Sequence, residues 1–127
     1  MPDILIINEG PVRKIRINRP EKKNALTLAM YESMAVAIED AATEASVRCL
    51  LISGAPDIFC AGNDLNDFVA MARTGALGTP IIRFLHALAR CEKPLVAAVP
   101  LKSIVPSFVT LKSIATASYA GRWLRFA

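Results

Sequence analysis

Two hydrophobic periods alternate along this chain, and the switches between them divide it into elements. Ile4-Leu5-Ile6-Ile7 and Val12-Arg13-Lys14-Ile15-Arg16-Ile17 are separated by Asn8-Glu9-Gly10-Pro11. They predict a hairpin with strands over 4–7 and 12–18, in which Ile15 and Ile17 face one side and Lys14 and Arg16 the other. Arg19-Pro20 stops the second strand. From Thr27, a capping residue, to about Ala45 the period becomes helical. Leu28, Tyr31, Ala35, Ile38, Ala42 and Ala45 form one stripe, with Glu32, Glu39 and Asp40 outside it. Glu32 and Glu39 lie two turns apart on one face, too far for a catalytic carboxylate pair and normal for a solvated side. Val47 to Ser53, closed by Gly54, reads as a buried strand. Leu65, Phe68, Val69 and Ala72 repeat at helical spacing, fading over 74–80. A further helix begins near Pro80, with Ile81, Phe84, Leu85, Leu88 and Ala89 as its stripe and His86 nearly opposite. Lys93-Pro94 ends it, and Leu95 to Val99 is another buried strand. Alternation of strand and helix predicts an α/β domain with parallel pairing.

Between the strand at 47–53 and the next helix lies Phe59-Cys60-Ala61-Gly62-Asn63-Asp64-Leu65. Gly62 falls where a backbone without Cβ can turn sharply and expose its amides. Asp64 and Asp67 are placed as cap and first-turn carboxylates of the helix that follows. The arrangement suits a backbone N–H, that of Asn63, aimed at negative charge developing on a ligand oxygen. Taken alone, the loop reads first as an ordinary helix cap. Lys22 and Lys23, in the loop before Thr27, read from residue type alone as a solvated pair.

Composition narrows these choices. A chain of 127 residues with 54% hydrophobic content is one domain at most and buries a real core. A net charge of +4 suits an anionic ligand. No basic cluster with interleaved aromatics points to nucleic acid. Every Asp and Glu lies at or before Glu92, so the last quarter of the chain offers no carboxylate for acid–base work. Cys49, Cys60 and Cys91 are far apart, and His86 is the one histidine, which argues against zinc. Cys49 and Cys60 read as buried, reduced core residues of an intracellular protein. No signal peptide opens the chain and no apolar run reaches the roughly 18 residues of a membrane span, so the expected location is cytoplasmic, with no membrane partner.

Asn18-Arg19-Pro20-Glu21-Lys22-Lys23-Asn24-Ala25-Leu26, then Phe59 to Leu65, then Lys93-Pro94-Leu95-Val96-Ala97-Ala98-Val99 occur in this order. Together they resemble the crotonase superfamily of enoyl-CoA hydratases and isomerases, and the Gly62–Phe68 wording resembles its isomerase branch. The resemblance covers residues 1–99. It implies a spiral of strand-strand-helix units and an acyl-CoA ligand, with coenzyme A part of the substrate and no other cofactor or metal. It implies that Lys23 contacts a CoA phosphate, that the Ala61 carbonyl receives the adenine, and that Asp64 supports the loop. Ala25, Gly62 and Leu65 join them as substrate-binding positions, and the Asn63 N–H becomes a donor to the thioester oxygen. Segment 74–80 would line the acyl pocket. Intact relatives are trimers about twice as long, so the chain reads as an N-terminal portion.

After Val99 the resemblance breaks, leaving 100–127 a divergent tail with a family-like strand over 118–126. The family carries a glycine-rich turn there whose amide is the second oxyanion donor. This chain has no glycine between Gly78 and Gly121, and the donor position falls on Pro106, which lacks an N–H, or on Ser107. The hydratase-type first glutamate falls on Val109 or Phe108, and later carboxylates fall beyond Ala127. Val109-Thr110-Leu111 resembles a remnant of the family's helix. Leu-Lys-Ser-Ile occurs at both 101–104 and 111–114, a repeat with no family counterpart. Two functions follow. One is a poorly active enoyl-CoA hydratase/isomerase-like enzyme whose nearest carboxylate, Asp67, is not aimed at substrate. The other is a non-catalytic truncated paralogue that binds acyl-CoA or serves as an assembly partner. Apolar Val96, Val99, Trp123 and Phe126 predict self-association.

Overall fold

The computed structural model describes residues 1–75, 78–100, 116–119 and 122–125. Segment 101–115, with Pro106, Ser107 and the 109–111 remnant, lies outside the described residues. Strands β1 (Ile4–Glu9) and β2 (Val12–Ile17) pair antiparallel around a two-residue turn, with Glu9 opposite Val12. Gly10 opens the turn at a φ of 54°, a left-handed conformation that costs glycine no Cβ clash. A single 3-10 turn, Pro20–Lys22, leads to α1 (Leu28–Thr43), β3 (Cys49–Ser53), α2 (Leu65–Thr74), α3 (Thr79–Arg90) and β4 (Leu95–Ala98). The sheet runs β1-β2-β3-β4, with β2, β3 and β4 parallel to one another. Helical crossovers between parallel neighbours follow directly, since parallel strands cannot be joined by tight turns. A separate antiparallel hairpin, β5 (Thr116–Tyr119) and β6 (Arg122–Arg125), occupies the stretch read as one strand over 118–126.

One face of the sheet carries the core. Ile15 and Ile17 of β2 and Leu50 and Ile52 of β3 are buried with Met30, Met34, Ala37, Ile38 and Ala41 of α1. The helix stripe is thus rotated from its expected position: Leu28 and Tyr31 are half-buried and Ala42 is exposed. Met30 and Met34, which the expected stripe left out, are almost wholly buried in this core, where their unbranched side chains adapt to irregular gaps. Arg13 shares this inward face. Its Nε donates to Asn8 Oδ1 at 3.0 Å and its Nη1 to the Ala37 carbonyl at 3.2 Å, which lets a charged side chain be buried beside the helix.

Distant residues close both ends of α1. Thr27 Oγ1 accepts the Met30 N–H, as expected of a cap. Asp67 Oδ2 accepts the Leu28 N–H, and Lys93 Nζ donates to the Ala41 and Glu44 carbonyls at 2.5 and 2.7 Å. A carboxylate at the N-terminus and an ammonium at the C-terminus both match the helix dipole. Across the α1–α3 contact, Arg83 pairs with Glu32 and Glu39, so the two glutamates read as a solvated face share a cation. On α3, Phe84, Ala87 and Leu88 face inward, while Leu85 and Ala89 of the expected stripe are exposed. The buried cysteine is Cys91; Cys49 and Cys60 are half-buried, and all three are free thiols. The opposite face of the sheet carries an open groove of about 350 Å³ bounded by Arg16, Leu51 and Ser53. Val96 and Val99 are exposed, whereas the side chains of Trp123 and Phe126 lie outside the described residues. Among the described residues, no helix is long and apolar enough to cross a membrane.

Candidate functional site

Two loops meet beyond the ends of β2 and β3. The first, 19–26, is a tight knot. Lys23 N–H donates to the Pro20 carbonyl at 3.0 Å and Asn24 N–H to the Arg19 carbonyl at 2.9 Å. Lys23 and Asn24 both take left-handed backbone, with φ of 52° and 58°. Asparagine tolerates that region far better than most residues, and here its side chain is fully enclosed. Asn24 Oδ1 accepts the Arg19 N–H at 2.9 Å, while Nδ2 donates to the Ile58 and Phe59 carbonyls at 3.0 and 3.1 Å. One amide group therefore fastens the first loop to the second.

The second loop, 58–65, returns along the first. Leu26 N–H donates to the Gly62 carbonyl and Asp64 N–H to the Leu26 carbonyl, each at 2.8 Å, forming a parallel bridge between Leu26 and Asn63. In a trans peptide the C=O and N–H point opposite ways. Because the Gly62 carbonyl faces Leu26, the Asn63 N–H faces away from it, and it meets no acceptor among the described residues. Gly62 has a φ of 101°, a conformation that excludes ordinary side chains at the residue before that amide. Its own N–H donates to Cys60 Sγ at 3.2 Å.

Charge completes the brace. Arg19 Nη1 donates to the Ala25 carbonyl at 3.0 Å and to Asp64 Oδ2 at 2.8 Å. The other oxygen of Asp64 accepts the Asn66 N–H at 3.0 Å, making it the N-cap of α2. The Arg19 guanidinium, and then the Asn66 N–H, hold the Asp64 carboxyl below its usual range; the same ion pair raises Arg19 further. Tyr31, from the first turns of α1, donates its hydroxyl to Asn63 Oδ1 at 2.6 Å. Burial pushes the Tyr31 phenol up, with a smaller contribution from Cys60.

Lys23, Ala25, Ala61, Gly62, Asn63, Asp64 and Leu65 are thus gathered on two adjoining loops. Lys23, Ala61, Gly62 and Asn63 are exposed, Ala25 and Asp64 are half-buried, and Leu65 is 77% exposed. Asp67 turns toward α1, where it is occupied by the Leu28 N–H. The residues that hold the loops together, Arg19, Asn24 and Tyr31, were not assigned that work from sequence. Gly54, read as a strand terminator, has a further function: a Cβ there would come within 2.5 Å of the Ile58 and Phe59 carbonyl oxygens.

A family described as Enoyl-CoA hydratase/isomerase matches residues 8–105. The chain is 37% identical to enoyl-CoA delta isomerase 2 of Rattus norvegicus over 92% of its own length and 31% of that protein's. It is 35% identical to the 1,2-epoxyphenylacetyl-CoA isomerase of Escherichia coli, over 78% of this chain and 40% of that one. The structure of OdaA from Pseudomonas aeruginosa superimposes with a TM-score of 0.73 at 39% identity, covering 79% of this chain and 40% of that one. The chain therefore spans about a third of the length of the curated relatives it matches, and its α/β sheet with helical crossovers is part of the crotonase fold. From the paired loops, the sheet they cap and the match over most of its length, this chain belongs to the enoyl-CoA hydratase/isomerase family.

Proposed function

We propose that this chain binds acyl-CoA thioesters and polarises their carbonyl through the Asn63 N–H. The observation that carries this is the outward Asn63 amide, fixed by the Leu26 bridge and left without an acceptor among the described residues. The names of both curated relatives describe isomerisation of CoA thioesters, which supports the ligand class. A thioester oxygen accepting that N–H gains negative charge as the neighbouring carbon loses a proton, so the donor stabilises an enolate more than the starting ester. Lys23 meets a CoA phosphate as an exposed point charge. The Ala61 carbonyl accepts from the adenine amine, with Ala25, Gly62 and Leu65 shaping the loop around the ligand. Coenzyme A arrives as part of the substrate, in the cytoplasm.

Proton transfer is the weak step. Asp64 is held by Arg19 and the Asn66 N–H, and Asp67 by the Leu28 N–H, so neither carboxylate beside the loop is available as a base. The second donor position falls on Pro106 or Ser107. Loss of one oxyanion donor costs about 2.7–4 kcal/mol of transition-state stabilisation, and loss of a positioned acid or base roughly another hundredfold in rate. The 127 residues by themselves are accordingly a thioester binder of low turnover. Exposed Phe68, Val69, Val96 and Val99 favour self-association, or docking to a partner, as a companion property.

Calorimetric titration with acetyl-CoA and free CoA, beside a turnover assay with a short enoyl-CoA, tests both parts. Binding that prefers the thioester, with turnover far below that of an intact relative, is expected. Turnover at an ordinary enzyme rate would refute the catalytic deficit; absence of any CoA-ester binding would refute the ligand assignment.

A further inference from the structure

We propose that Tyr31 is a positioning residue for the thioester-polarising amide, acting through the hydrogen bond from its hydroxyl to Asn63 Oδ1. The inference rests on the assignment of the Asn63 N–H as oxyanion donor. The 62–63 peptide is held to Leu26 at the Gly62 carbonyl, and the following peptide at the Asp64 N–H. The first bond sets the direction of the carbonyl and of the N–H antiparallel to it, but the peptide can still turn about that bond, which carries the N–H sideways. Gly62, at a φ of 101° with open space where a Cβ would stand, adds no steric resistance to such a rotation. The Tyr31 bond, 2.6 Å long, ties the Asn63 side chain to α1 and opposes that sideways movement.

Tyr31 suits the task because it is itself held. It sits on α1, whose ends are closed by Thr27, Asp67 and Lys93. Its ring packs on Phe84 of α3, with centroids 5.4 Å apart and planes at 60°. A tilted aromatic contact of this kind restricts the swing of the phenol. The hydroxyl must carry its proton to donate, and burial favours that form through the neutral range. Two packed helices thereby help to hold the place of an amide on an exposed loop, the arrangement that preorganised charge stabilisation requires.

The test uses acetyl-CoA labelled with 13C at the thioester carbonyl, and free CoA as the reference ligand. Infrared difference spectra of the bound label should show a carbonyl stretch lowered relative to acetyl-CoA in water. Tyr31→Phe keeps the ring against Phe84 and removes only the hydroxyl. It should lose at least half of that lowering and reduce the preference for acetyl-CoA over CoA roughly two- to tenfold, the worth of one hydrogen bond. Affinity for CoA itself should stay within about twofold. Asn63→Ala keeps the backbone N–H but removes Oδ1, and should behave the same way; the double variant should show no further loss. Should Tyr31→Phe unfold, Asn63→Ala reads the same bond from the exposed side. Full carbonyl lowering in the folded variants would overturn the positioning role while leaving the oxyanion assignment standing. No lowering in the unaltered chain would overturn the oxyanion assignment and the role of Tyr31 with it.

Discussion

The Asp67 carboxylate, in the first turn of α2, accepts the backbone N–H of Leu28 at 2.7 Å and so caps a different helix from its own. Replacing it tests stability and chemistry together. Asp67→Ala leaves an N-terminal amide of α1 without its acceptor and should cost about 0.5–2 kcal/mol, the range of a lost cap. Asp67→Asn retains an acceptor oxygen and gives up only the charge–dipole attraction, about 0.3–1 kcal/mol. Urea midpoints ordered unaltered chain, then Asn, then Ala would agree with the cap. An Asn variant of full stability that lost residual turnover would instead make Asp67 the missing base.

Asn24 carries three hydrogen bonds with no exposed surface, linking the Arg19 amide to the Ile58 and Phe59 carbonyls. Asn24→Ala strands those groups and keeps a β-carbon in left-handed backbone without the local hydrogen bonds that offset it. A loss of about 2–4 kcal/mol is expected. Asn24→Asp should be at least as damaging, since an oxygen replaces the amine that faces two carbonyls. Denaturant midpoints that fall with an unchanged slope would identify the effect as stability lost from the native state. A neutral alanine variant would mean the loops are held mainly by the Leu26–Asn63 bridge.

Legibility in the sequence followed the reach of each signal. The strands at 12–17 and 49–53 and the helix from Leu28 were visible because alternation and helical spacing are local patterns. The rotation of the α1 stripe onto Met30 and Met34 was not, because its direction depends on where β2 and α3 lie. Asp64 was legible as a cap, from its place before a helix. Its pairing with Arg19, 45 positions earlier, had no periodic signature. Asn24 was inside a motif yet gave no hint of its role: an enclosed asparagine and a solvated one look alike in sequence. The single strand expected over 118–126 is instead two short strands, Thr116–Tyr119 and Arg122–Arg125.

The Arg19–Asp64 pair makes the site sensitive to acid. Arg19 holds the Asp64 carboxyl below the usual Asp value of about 4, so the folded chain binds this proton less readily than the unfolded chain. Its contribution is complete above that value and is lost as pH falls through the lower, folded-state value. Arg19 stays charged throughout, so the change comes from the carboxylate. The Asp64 share of stability, read as the difference in urea midpoint between this chain and Asp64→Asn, should therefore be flat from neutrality to about pH 4 and decline below it. Asp64→Asn should be less stable at neutral pH and decline less steeply in acid. Parallel profiles for the two chains would show that other carboxylates govern the acid limb.

Lys23 offers the sharpest separation of ligand recognition from ordinary surface charge. Its side chain is exposed, and it forms no ion pair among the described residues. Its left-handed backbone, closed by the bond to the Pro20 carbonyl, fixes where the stem leaves the loop. The ammonium keeps its freedom, so any phosphate contact is a solvated one. Exposed ion pairs are worth about a kcal/mol or less, and salt weakens them within a screening length of roughly 10 Å at 0.1 M. Lys23→Ala should therefore weaken CoA about two- to fivefold, and less at high salt, with little change for an analogue lacking the contacted phosphate. Lys22→Ala, at the neighbouring exposed lysine, is the matched control for general charge. If both variants weaken both ligands alike, the effect belongs to the +4 field of the chain and not to a contact at Lys23. A loss confined to Lys23 and to the phosphorylated ligand would require the nucleotide end of CoA to lie over the 19–26 loop, beside the carbonyl of Ala61.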